Sequence, residues 1–76
     1  MKWIKNGKIV SPIGTTIIYQ AEGMPIQIES RKRHIPHANG IGTWDHTSYF
    51  VFVEGRQVAE KMTLRDAKEY AEEVAK

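Results

Sequence analysis

"SYFVFVEGRQVAEKMTLRDAKEYAEEVAK", Ser48 to Lys76, decides the fold class because the hydrophobic period changes inside it. From Tyr49 to Val53 the residues are β-branched or aromatic, and with Ser48 they make the most strand-like run in the chain. Glu54-Gly55 then supplies a tight turn and "RQVAE" returns, a two-residue loop that sets Phe52 opposite Gln57 and Val51 opposite Val58. From there the spacing becomes helical. Leu64, Ala67, Ala71 and Val74 form an apolar stripe, and Arg65, Lys68, Glu69, Glu72 and Glu73 cover the other side. Thr63, with Asp66 three residues on, stands where a capping box would start the helix, Asp replacing the usual Glu or Gln. The strand itself is ambiguous, since Tyr49, Val51 and Val53 make one apolar row and Phe50 and Phe52 another. Either one row is exposed, beside Arg31 and Arg33, as a stacking platform for bases or a docking patch for a protein, or both rows are buried by the helix and an N-terminal hairpin. In so small a domain the second is expected, with Trp3 and Trp44 helping to cover the core.

Upstream, "MPIQIES" alternates, with Met24, Ile26 and Ile28 facing one way and Gln27, Glu29 and Arg31 the other. Pro25 has no N–H for a ladder and belongs at the start of that strand or on an edge. "TTIIYQ" is another strand, followed by "AEG", where Gly23 is free to take positive φ. "SPIG", Ser11 to Gly14, reads as a turn, and Asn6-Gly7 between Ile4 and Ile9 carries a hairpin signal. His34 to Trp44, interrupted by Pro36, Gly40 and Gly42, reads as the longest irregular connection. Strands first and a helix last predict a single α+β domain over 1–76. Its antiparallel sheet has four to five strands, and one C-terminal amphipathic helix packs on one face.

At 76 residues the chain has room for one small core and no large internal pocket. It contains no cysteine, which excludes disulfides, thiolate metal sites and thiol chemistry and fits a reducing, cytoplasmic setting. No apolar run reaches a membrane span, so no membrane partner is expected, and "MKWIKNGKIV" is too short and polar for a signal peptide. The net charge of +2 is unevenly spread. Lys2, Lys5, Lys8, Arg31, Lys32 and Arg33 face only Glu22 and Glu29 in the first 35 residues, whereas the helix is mildly acidic.

Unusual chemistry concentrates between Ser30 and Phe50. Arg31 and Arg33 share the solvent face of a strand and could position a phosphate backbone, or serve only to keep an edge soluble. His34, His37 and His46 with Asp45 contain an H-x-x-H pattern, yet Pro36 disfavours a helix that would stack two ligands, and no metal site is read. Asp45 beside His46 suggests a base pair, but no nucleophile is tied to it beyond Thr47 and Ser48, so neither an enzyme nor a cofactor is read. Candidate partner-binding residues are Arg31, Lys32, Arg33, His34, His37, Trp44 and Tyr49.

"YFVFVEGRQVAEKMTLRDAKEYAEEVAK" resembles the strand–turn–strand–helix ending of two families of DNA-binding domain. These are the amino-terminal arm-binding domain of tyrosine-recombinase integrases and the plant ethylene-response-type domain, with Thr63, Ala67, Ala71 and Ala75 in matching style. The resemblance implies a three-stranded sheet laid into a DNA groove with the helix behind it. Phe50, Phe52 and Gln57 depart from the Arg- and Trp-rich reading face of those families. In size and style the chain also resembles small phage and mobile-element proteins. The expectation is a non-enzymatic protein-binding module, an accessory or inhibitor protein using the sheet edge and the Ser30–Tyr49 region. The alternative is a sheet-based nucleic-acid binder that contacts phosphate through Arg31–Arg33.

Overall fold

The computed structural model describes residues 1–36, 40 and 42–75. Five antiparallel strands run in sequence order: β1 (Trp3–Ser11), β2 (Gly14–Ala21), β3 (Ile26–Pro36), β4 (Thr43–Val53) and β5 (Arg56–Lys61). The helix α1 (Leu64–Val74) packs against β3, β4 and β5. This is the α+β arrangement that the change of period predicts.

The core is small and sits at the helix end. Ala21, Ile26, Ile28, Val51, Ala67 and Ala71 are buried, with Tyr19, Tyr49, Val53, Ala59, Leu64 and Tyr70 packed around them. Ile28 pairs across the ladder with Val51, and Ile26 with Val53, so β3 and β4 present one continuous apolar surface to the helix. Two alanines on α1 let its backbone lie close to that surface. Thr63 caps the helix as expected: its Oγ1 accepts from the Asp66 N–H at 3.1 Å. The stripe ends sooner than its spacing suggests. Val74 is 42% exposed, and Tyr70, a position outside the expected stripe, packs on the core instead.

Local turn signals and strand pairing compete at two places. Asn6-Gly7 is not a hairpin turn; β1 runs straight through it, with a bulge between Lys5 and Gly7. The chain reverses at Pro12-Ile13, where Ser11 pairs with Gly14, as the "SPIG" reading expects. That turn lets all of β2 pair, and the extra residue at Asn6 has a geometric effect. Ile4 and Ile9, an odd number of positions apart, come to the same face of the sheet. In β5 the Glu54-Gly55 turn, with both residues at positive φ, sets Phe52 opposite Gln57. A second bulge then places Ala59 rather than Val58 opposite Val51, which corrects the expected pairing and leaves Val58 exposed.

The irregular connection expected from His34 to Trp44 is strand at both its ends, His34 to Pro36 and Thr43 to Trp44, while 37–39 and 41 lie outside the described residues. β3 and β4 pair out to Pro36 and Thr43, with His34 opposite Asp45 and Ile35 opposite Trp44. The breakers bound the ladder, since Pro36 is the last residue of β3 and Gly42 stands just before β4, so the proline removes no N–H from the interior of a strand. Long strands and a short helix make the molecule elongated, 47 Å by 20 Å by 19 Å.

Candidate interaction surface

The helix covers one face of the sheet, and the first hairpin extends the sheet sideways instead of folding over it. The opposite face is therefore open. Tyr49, Val51 and Val53 lie on the helix side, and Phe50 and Phe52 lie on the open side, so the expectation that both rows are buried does not hold. The register puts Gln27, Glu29, Arg31, Arg33 and Ile35 of β3 on the open face, beside Phe52, Phe50, Ser48, His46 and Trp44 of β4. Ile18 and Thr16 of β2 and Ile4 and Ile9 of β1 continue it toward one edge. On β5, Glu60 pairs with Phe50.

Trp44 does not help close the core; it is 45% exposed at the far end of the sheet, with its ring edge-on to His46 at 5.9 Å between centroids. His46 Nε2 lies 3.1 Å from Ser48 Oγ. Arg31 is committed within the chain. Its Nε donates to Glu29 Oε2 at 3.1 Å, Nη2 donates to the same oxygen, and the guanidinium stacks on Phe50 at 4.5 Å. Arg33 has no such carboxylate partner among the described residues. It lines a shallow depression with Arg31, His46, Ser48, Phe50 and Glu60.

The basic run is thus split by the alternation of the strand. Lys32 points to the helix side, where its Nζ lies 3.3 Å from Asp45 Oδ2 and His34 Nδ1 lies 2.6 Å from Asp45 Oδ1. The His34 hydrogen bond, and after it the Lys32 contact, hold the Asp45 carboxyl below its ordinary range. His34 and His46 occupy opposite faces, so these two imidazoles cannot ligate one ion. Among the described residues no cluster of His, Asp and Glu has the form of a metal site. Of the residues singled out in the sequence, Arg31, Arg33 and Trp44 share the open face, Lys32 and His34 share the other, and Tyr49 packs against the core. His37 lies outside the described residues.

Several residues that shape the open face are not singled out by the sequence as binding residues, namely Ile4, Ile9, Ile18, Glu29, His46 and Glu60. A signal existed for Glu29, which shares the alternation of Arg31. None existed for Ile9, whose facing depends on the bulge. No helix among the described residues is long and apolar enough to cross a membrane. Comparison with family models, with curated proteins and with solved structures finds no match to the chain.

Proposed function

We propose that the chain is a small binding protein without catalytic activity and that its open sheet face docks another protein. The charge on that face carries the reading. Arg31 and Arg33 are balanced by Glu29 and Glu60, so the face is neutral overall while it bears isoleucines and aromatic rings. The lysines that contribute to the +2 charge lie elsewhere: Lys8, Lys32 and Lys61 project to the helix side of the sheet. A phosphate backbone needs a cationic surface, whereas protein interfaces combine aromatic and Arg side chains with few net charges. An apolar sheet face left uncovered is also the kind of patch that marks a binding surface.

One observation favours the nucleic-acid alternative, namely the placing of α1 behind β3, β4 and β5 with Arg33 on the far side, where it has no carboxylate partner among the described residues. The two readings separate by salt. Random duplex DNA and single-stranded RNA are expected to bind no better than to other proteins of similar charge. Capture from host extract should be nuclease-resistant and should be lost with Trp44→Ala. A log–log salt slope of roughly −2 to −3 for DNA, flattened in an Arg31→Ala, Arg33→Ala pair, would instead establish the nucleic-acid reading.

A further inference from the structure

We infer that the occupant of the open face is a second copy of this chain, joined about a two-fold axis that runs across the strands at the level of Arg31. This rests on the reading of the open face as a protein-docking surface and names its partner. The charges flanking the axis are arranged for such a pairing, and Arg31, which would meet its own counterpart on the axis, is held within its own chain by Glu29 and Phe50. On β3 the open-face order is Glu29, Arg31, Arg33, so the acid lies one repeat to one side of Arg31 and a cation one repeat to the other. Turning a second copy over about an axis through Arg31 lays β3 antiparallel over β3. Glu29 of each copy then meets Arg33 of the other.

The same operation treats β4 consistently. Ser48 pairs with Arg31 and so lies on the axis; His46 meets Phe50, and Trp44 meets Phe52. Ile9, which pairs with Thr16 at the level of Arg31, meets its own counterpart. Packed sheets cross at about 30°, but Glu29 and Arg33 lie only about 7 Å from the axis, so the twist displaces them little.

The face is also large enough. A stable interface takes roughly 800 Å² from each partner, and the molecule is 47 Å long and 20 Å by 19 Å across. Ile9 is 60% exposed and Trp44 45% exposed in the single chain. Covering them would turn a two-layer domain with a core at one end into a four-layer helix–sheet–sheet–helix body. Small domains bury too little surface alone, and pairing is a common remedy. Arg33, which has no carboxylate partner of its own among the described residues, would gain one.

Sedimentation equilibrium from low micromolar to near-millimolar protein tests this, with circular dichroism melts confirming that each variant folds. The wild type should be a monomer–dimer system. Arg33→Glu sets two carboxylates together, and Glu29→Arg sets two guanidinium groups together. Each should weaken self-association by about 100-fold or more. An equimolar mixture of the two variants should recover a dimer containing one of each, identified by its mass. Ile9→Glu provides a route independent of that charge pair and should also yield monomer. A wild type that stays monomeric overturns the inference, as does a dimer that both charge variants and Ile9→Glu leave intact. If the monomer still captures a nuclease-resistant partner through Trp44, the docking reading survives and only the second copy fails. If the monomer binds DNA with a steep salt dependence lost in Arg33→Glu, both fail.

Discussion

Gly14 lies against β3 so closely that a Cβ added to it would stand 2.0 Å from the Lys32 carbonyl oxygen and 3.1 Å from Arg33 Cα. Both are backbone atoms, so no side-chain rotation relieves the overlap. The His34 N–H donates to the Ile13 carbonyl oxygen at 2.9 Å, which pins the turn in place. Gly14→Ala should therefore cost about 3 kcal/mol or more, at the upper end of overpacking effects. For a domain of this size that lowers the melting temperature by more than about 10 °C. A melt within two or three degrees of the wild type would show that β2 and β3 are not in this register. Gly14 is the residue least legible from sequence, because "SPIG" identifies a turn but not which strand lies beneath it.

Single strands and the helix were legible wherever one side of an element is polar. Gln27, Glu29 and Arg31 against Ile26 and Ile28 fix which side of β3 meets the core, and Arg65, Lys68 and Glu69 do the same for α1. Legibility fails where both alternatives are apolar. In β4 neither Tyr49, Val51, Val53 nor Phe50, Phe52 contains a polar marker, so only packing against Ala67 and Ala71 decides the buried row. It fails again at bulges, since one unpaired residue reverses every facing beyond it, as Asn6 does for Ile9. The helix register is open to direct test. Ala71 is 0% exposed, and Ala71→Asp would place an unpaired charge between helix and sheet. The cost should be several kcal/mol, enough to unfold a domain of this size. Retention of the wild-type circular dichroism spectrum and melting temperature would mean that another face of α1 meets the sheet.

The whole molecule is unequal along its length. Core residues gather under α1, whereas the sheet beyond Ser30 and Ser48 carries His34, Asp45 and Trp44, and among the described residues no element packs over either side of it. Stability should follow that division. Hydrogen exchange in dilute solution is expected to be slowest for ladder amides in 26–30 and 49–53, and orders of magnitude faster in 33–36 and 44–46 through local opening. Equal protection of both groups would mean that the sheet opens only as one unit.

The strand order β1-β2-β3-β4-β5 has a kinetic consequence. Every ladder joins strands adjacent in the chain, so no pairing waits for a distant segment to arrive. The connections at Pro12-Ile13 and Glu54-Gly55 are two residues long, which keeps the entropy of closing each hairpin small. For a sheet-rich domain the mean separation of contacting residues is therefore low, and folding should be fast relative to sandwiches and barrels of similar length. During synthesis each strand can pair with its predecessor as soon as it emerges. The helix then completes the core last, by closing over β3, β4 and β5.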